Sequence, residues 1–479
     1  LDNKWTFVKY DVFNRPLKTG IITTSLNKDS IISQASVSTN YPNLSTAYEL
    51  LSETHYDEYR WADATELTAI LDSAHINSEN FNTNINNGPE YAQPITVTRR
   101  IRGVATGAKV RVLGTNDFLY SLSLYDDFGR PVQVKSTNIT HGIEVSTMQY
   151  SFSGKLLASH LFQSTGGANA QQHTLSSTYS YDHAGRLHQI NKKIDSNDRI
   201  TIATMEYNEL GQMVKKIIEP GFEGSGLETQ NFEYNIRGWL LGMNRLYLKN
   251  DTQNSFFGYE LGYSDTLNSL LGTSYQKALY NGNITGTVWR SKGDGQLRKY
   301  DYSYDAAGRL LSAAFTQFTD GAFNLSAGID YSVMMGNGQS PSSAYDANGN
   351  ILYMVQYGLK LGSSALIDRL SYAYTSSANK LARVTDAVND PNTRLGDFKD
   401  GANTGADDYL YDVNGNLTQD LNKGIANIVY NQLNLPEFID LVEKGTVRYT
   451  YTAAGTRLKK QVFNRQTQIT ITTLYLSGF

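Results

Sequence analysis

The sequence predicts an all-β fold: β-hairpins stacked into a repetitive sheet. Three observations lead there. Tyrosine is unusually frequent, with 33 residues beside 18 phenylalanines, and aromatic side chains favour strands. Short segments alternate in character with a period of two. A tyrosine–aspartate pair, followed three residues after the aspartate by glycine or asparagine, returns along the chain. Such self-similarity marks a repeat architecture.

The best copies are YDVFNRP (Tyr10, Asp11, Asn14), YDDFGRP (Tyr125, Asp126, Gly129, Arg130) and YDHAGRL (Tyr181, Asp182, Gly185, Arg186). They continue with YDAAGRL (Tyr304, Asp305, Gly308, Arg309), YDANGNI (Tyr345, Asp346, Gly349) and YDVNGNL (Tyr411, Asp412, Gly415). Weaker copies open at Tyr150, Tyr207, Tyr234 and Tyr451, and more degenerate ones at Tyr280 and Tyr430. From Tyr125 onward the clear copies mostly lie about 20 to 45 residues apart, the period of stacked supersecondary units.

Each part of one copy has a physical reading. Thr174, Ser176, Thr178 and Ser180 alternate with Leu175, Ser177, Tyr179 and Tyr181, as in a half-buried strand. The aspartate that follows is suited to accept hydrogen bonds from the backbone of a turn. The glycine takes a conformation that would strain a residue with a Cβ; Asn14, in the first copy, is the next most tolerant type. Arg–Leu or Asn–Leu then restarts a strand. One hairpin is marginal in water, whereas stacked hairpins cover each other's tyrosines and pair their edges. Arg15, Arg130, Arg186 and Arg309 are expected on a tyrosine face or beside a carboxylate.

Along the chain, residues 1–40 hold one repeat and a strand-like segment. Residues 41–98 are denser in Glu, Ala and Leu. They read as an insertion or small docked lobe with a short helix near Asp63 to Leu71. Residues 99–479 form the main repeat region, with loop insertions near 316–343 and 383–406. The second insertion carries Asp386, Asp390, Asp397, Asp400, Asp407 and Asp408, without the alternating ligands and terminal glutamate of a calcium loop.

The composition narrows the chemistry. With 40% hydrophobic and 18% charged residues the chain is not of the disordered class. A net charge of −4 without a basic run argues against nucleic acid as a partner. The absence of cysteine removes disulfides and thiolate metal sites. No stretch is apolar for long enough to form a helical membrane span. The seven histidines (His55, His75, His141, His160, His173, His183 and His188) form no HExxH or related ligand spacing, and neither a GxSxG elbow nor a phosphate loop is present. Residues repeated six times are better explained as structure than as catalysis. The sequence therefore offers no catalytic residue, no metal ligand and no cofactor site. Exposed tyrosine rows suit stacking on sugar rings, which keeps a glycan-binding surface as the rival reading.

The YDxxGRL pattern resembles the tyrosine–aspartate (YD) repeat of the RHS family, found also in the shell component of insecticidal toxin complexes and in teneurins. YNGNITGTVWRSKGDG, IVYNQLNLPEFI and the terminal TTLYLSGF are similar to Bacteroidota members in particular. The resemblance implies a β-sheet that spirals into a hollow shell around a C-terminal polymorphic segment, often a toxin. It implies a bacterial protein that is secreted or sits at the cell surface. Its expected partners are the C-terminal core and cargo segment of the same parent chain, with surface or secretion-system proteins. The self-cleaving aspartates of the family's core segment have no counterpart here, so a non-enzymatic wall segment is expected. The alternatives are an adhesive or glycan-binding scaffold, or a subunit of a larger surface assembly.

Overall fold

Strand Leu297–Tyr304 runs into its turn and returns as Leu310–Thr319, with Tyr304 opposite Leu310 but Ser303 opposite Ser312. Leu311 is therefore an extra residue, a β-bulge set directly after the turn. The same register shift occurs at Tyr125, Tyr150 and Tyr374. The extra residues Val132, Leu157, Leu311 and Ala382 are all buried. Each bulge thus turns one apolar side chain of the return strand into the core.

The computed structural model describes residues 3–38, 41–42, 48–249, 255–263, 270–272, 274–275, 277–376, 378–389, 398–401 and 407–476. Among them the chain is nearly all β. Twenty-three strands, from Lys4–Tyr10 to Leu381–Asp386, join one antiparallel sheet, and seven, from Tyr409–Tyr411 to Ile469–Leu474, form a second. Most strands pair with their neighbours in sequence, as hairpin stacking requires.

The chain divides into two compact units, the first made of 1–201, 430–438 and 446–479, the second of 202–429 and 439–445. In the first unit the C-terminal residues close onto an early strand end. Val112 bridges Thr452, and the Leu113 and Ala453 amides donate to the Tyr451 and Arg111 carbonyls, both at 2.8 Å. Its apolar core holds Ala62, Leu67, Leu122, Leu124 and Val132; each fully buried leucine there contributes about 1.5–3 kcal/mol. The second unit has one cluster around Leu248, Tyr275, Val288 and Leu297 and another around Leu311, Met335 and Ala344.

The insertion at 41–98 is built differently from the expectation. Tyr48–Tyr56 is a sheet strand, paired with Pro16–Thr23 and Ala105–Arg111. The chain leaves the sheet after Tyr56 and re-enters at Ala105, directly opposite it. The Asp57 amide donates to the Val104 carbonyl at 3.3 Å, as the Asp305 amide donates to Arg309 at 2.9 Å. Residues 57–104 are thus a repeat turn drawn out into a strap. Its expected helix over 63–71 is replaced by one 3-10 turn, Arg60–Ala64. The Thr65 amide and hydroxyl both donate to the Ala62 carbonyl and end it, which frees Leu67 to enter the core.

Two other expectations need correction. The strand-like segment after Thr23 is helix Lys28–Val37, capped by the Asn27 side chain, which accepts from the Ser30 amide at 2.9 Å. None of its residues is buried, so its β-branched residues have no sheet to join. The 316–343 stretch is only partly loop. It contains the end of Leu310–Thr319, the strands Ala322–Asn324 and Val333–Met335, and helix Pro341–Ala344. In 383–406, the strand Leu381–Asp386 takes the first residues, and Asp390 and Asp397 lie outside the described residues.

Candidate functional site

The repeat turn is a closed hydrogen-bond unit. In YDAAGRL the Gly308 amide donates to the Asp305 carbonyl at 3.0 Å. Asp305 Oδ1 accepts from the Ala307 and Arg309 amides at 2.9 and 2.8 Å, and Oδ2 accepts from Arg309 Nε at 2.7 Å. This is a type I turn followed by a left-handed residue, with the aspartate satisfying amides that the loop would leave open. Asp11, Asp126 and Asp182 make the same bonds with Arg15, Arg130 and Arg186. In the turns of Asp346 and Asp412, Asn350 and Asn416 replace arginine and donate from their side-chain amides at 2.8 and 2.9 Å. Gly129, Gly185, Gly308, Gly349 and Gly415 all have positive φ, as does Asn14 at 65°. The bond from the Arg309 amide, its guanidinium and the Ala307 amide hold the Asp305 carboxyl below the usual carboxylate range.

A second set of contacts joins repeats to the ones before them. The tyrosine hydroxyl donates to the carbonyl of the first residue after the preceding turn. Tyr150 bonds Pro131 at 2.9 Å, Tyr181 bonds Leu156 at 2.9 Å and Tyr451 bonds Pro436 at 3.1 Å. In the second unit Tyr234 bonds Met213 at 3.0 Å, Tyr374 bonds Ile351 at 2.8 Å and Tyr411 bonds Leu381 at 2.9 Å. The cation of the preceding turn lies on the same ring. Arg15 is 4.3 Å from the Tyr56 centroid, Arg130 is 4.9 Å from Tyr150 and Lys155 is 5.1 Å from Tyr181. Arg130 Nη1 also donates to the Ser151 carbonyl of the next turn at 3.0 Å. Tyr10, which opens the first repeat, is half exposed.

Three repeat positions escaped the sequence reading: Tyr56, Tyr263 and Tyr374. Tyr56 carries the strap as its turn. Tyr263 bonds the Leu240 carbonyl at 3.1 Å, and the Tyr374 turn holds one residue more, the Thr375 amide reaching the Lys380 carbonyl. The degenerate YNQLNLP at Tyr430 is a full turn, with Asn431 Oδ1 accepting from the Leu433 and Leu435 amides and Asn434 at positive φ. Asp57 replaces the usual turn aspartate at the strap's root. Bonds from Arg15 and the Gly103 amide pull its carboxyl down to about 2.

Under the strap runs a row of polar side chains across neighbouring strands. Gln133 pairs across from Thr147, Thr147 from His160, His160 from Ser176, and Ser176 from Lys193. Gln133 accepts from the Asp72 amide and donates to the Asp72 carbonyl, both at 2.8 Å. Gln149 does the same with Asn82, at 2.9 and 2.8 Å. Lys135 Nζ donates to the Thr68 and Ile70 carbonyls at 3.0 and 2.7 Å, and burial lowers its pKa from the ordinary lysine value. The returning limb follows the turns. The Gln93 and Thr98 amides donate to the Tyr150 and Tyr125 carbonyls, both at 2.8 Å. These polar residues read the backbone of an irregular segment, whose amides and carbonyls cannot be buried unpaired.

His75 stacks on His160, and the other histidines do not converge. His55 stacks on Trp61 and His173 bonds Asp195, while His183 lies in one exposed turn and His188 just beyond it. Among the described residues no group of three His, Asp or Glu side chains is placed to hold a metal, and no helix is long and apolar enough to cross a membrane. The geometry is that of hairpins interlocked through their tyrosines, with the strap laid over one part of the first unit.

No family model and no curated protein matches this chain in sequence. In structure it is similar to the crystal structure of TcdB2-TccC3, at a TM-score of 0.56 and 14% identity, over 99% of this chain and 20% of that one. The crystal structure of TcdB2-TccC3-Cdc42 gives a TM-score of 0.47 at 14% identity, again over 99% of this chain and 20% of the other. The chain thus spans about one fifth of the length of these two structures. The likeness to the first of these extends along nearly all of the chain, and the fold is RHS-like and nearly all β.

Proposed function

We propose that this chain is a wall segment of an exported RHS-type shell that encloses a C-terminal polymorphic segment, a toxin in the fullest form of the reading. The observation that carries it is the interlock between repeats. Tyr56, Tyr150, Tyr181, Tyr345 and Tyr411 are each held by the backbone of the preceding hairpin, and the cation of that hairpin's turn lies on the same ring. A wall built this way is continuous and stiff, with its strand edges paired. It confines cargo by denying it space and solvent, with no catalytic residue, metal or cofactor. The partner is then the core and cargo segment of the parent chain, and the setting is secreted or at the bacterial cell surface. The likeness to TcdB2-TccC3 supports a shell role. Limited proteolysis of the full-length parent tests the reading. Protection of a downstream segment that is lost when the wall is denatured supports confinement; equal cleavage before and after denaturation overturns it.

The exposed turn-tip aromatics Phe13, Phe128 and Phe152 favour a second reading, an adhesive or glycan-binding scaffold. Glycan-array binding that disappears in a Phe128→Ser, Phe152→Ser variant would select it.

A further inference from the structure

We infer that the outer limb of the strap, residues 73–93, is an acid-released latch whose trigger is His160. This goes beyond the wall reading and does not depend on it.

His160 lies on strand Leu156–Ser164, between Thr147 and Ser176 on the adjacent strands. It is 3% exposed. The Ser176 hydroxyl donates to Asn80 Oδ1 at 2.8 Å, which uses its single hydrogen. The 2.8 Å contact between His160 Nδ1 and Ser176 Oγ is therefore a bond donated by the imidazole. That fixes the neutral tautomer with the proton on Nδ1 and a bare Nε2. Nε2 is buried and has no hydrogen-bond partner among the described residues. The ring stacks on His75 at 4.8 Å and meets Phe81 edge-on at 6.5 Å, and His75 stacks in turn on Phe162 at 5.2 Å.

Four other titratable or charged groups face this site. His75 and Glu79 come from the strap, Lys193 from strand Leu187–Ile194, and Arg199 from the segment just beyond it. Glu79 is already engaged: its carboxylate bonds Lys193 and its carbonyl accepts from Arg199 at 2.9 Å. A proton added to Nε2 would be a buried charge without an acceptor, against a second imidazole and near two cations. Such a charge is costly, and lifting the strap returns the ring to water. In the inner limb, Trp61 stacks on His55, while 66–72 is held by Lys135, Gln133 and the burial of Leu67, none of which involves a histidine.

The direction of the effect follows from the burial, which holds the imidazole down at about 4 with His75 adding to it. A histidine depressed in the folded state binds its proton more readily when released. The closed strap is fully stable above the ordinary histidine range and loses stability as pH falls from there toward 4. At about pH 5 this linkage raises the open population on the order of 30-fold for a shift of that size, and at least about tenfold for a ring that stays partly solvated.

The chain has no cysteine, so Ala92→Cys places a single thiol at a fully buried strap position. Its labelling by dithiodipyridine is measured at neutral pH and at about pH 5, relative to the denatured chain at each pH. The expected result is an acceleration of about tenfold or more on acidification, abolished by His160→Gln in the same background. No acceleration, or the same acceleration in His160→Gln, overturns the latch. Hydrogen exchange on the cysteine-free chain, corrected for intrinsic rates, gives a reading without the substitution. Acid must remove protection from 73–93 and spare 66–72, the part of the inner limb away from His55. Equal loss in 73–93 and 66–72 overturns the proposal.

Discussion

The Tyr345 hydroxyl donates to the Leu310 carbonyl at 2.6 Å, and the Arg309 guanidinium beside Leu310 lies 4.5 Å from the centre of the Tyr345 ring. One tyrosine thus binds both the backbone and the cation of the previous repeat. The same pairing recurs at Tyr150 and Tyr181 in the first unit and at Tyr411 in the second, so these hairpins are anchored by their predecessors. Sheet hydrogen bonds alone would set strand order; these side chains also set the turn positions.

Removing one hydroxyl should weaken the stack without unravelling it. Tyr304 bonds the Ile284 carbonyl at 2.8 Å. Tyr304→Phe is expected to cost about 1 kcal/mol, the net value of a typical hydrogen bond. Tyr10→Phe, at a half-exposed position in the first repeat, should stay within about 0.5 kcal/mol. Urea unfolding followed by circular dichroism measures both.

The turn glycines should respond to backbone conformation more than to crowding. Gly129 has φ of 75° and open space where a Cβ would sit, whereas a Cβ at Gly185, φ 81°, would press on the tip of Lys155. That flexible tip can move aside. Gly129→Ala and Gly185→Ala should therefore cost similar amounts, about 1–2 kcal/mol. Gly129→Asn should cost less, because Asn14 and Asn434 already occupy this place at positive φ. Melting temperatures of the three variants test the order.

Acid should weaken the root of the strap over a definite window. Arg15 is the main cause that pulls Asp57 down to about 2. A depressed carboxylate contributes stability that is complete above its unfolded value, near 4, and is lost as pH falls through its folded value. Asp57→Asn should flatten the pH dependence between about 4 and 2, measured as the difference in unfolding midpoint from the parent chain.

Lys135 should matter more than a surface lysine. Lys135→Met would leave the Thr68 and Ile70 carbonyls without their donor. The expected cost is about 1–3 kcal/mol, with faster proteolytic cleavage inside 57–72. Lys444→Met, on an exposed turn, should leave the cleavage rate unchanged.

The repeat turn was legible in the sequence because its donors and acceptors lie within five consecutive residues, from Asp305 to Arg309. Tyr56 was not, because its turn is drawn out to Val104 and its partner in register is Ala105. A tyrosine closing an alternating strand was the only local signal, and Tyr263 and Tyr374 carry the same one. The row Gln133–Thr147–His160–Ser176 depends on the register of four strands, and no single strand encodes that. Helix Lys28–Val37 misled through its isoleucines and valine; its real signal was the Asn27 cap with Ser30 three residues on.

The central claim is that these repeats form an enclosing wall. Electron microscopy of the full-length parent protein, beside this chain alone, tests it most directly. The account predicts a closed shell with internal density and with residues 1–479 traced in its wall. An open or extended sheet with no interior would contradict it.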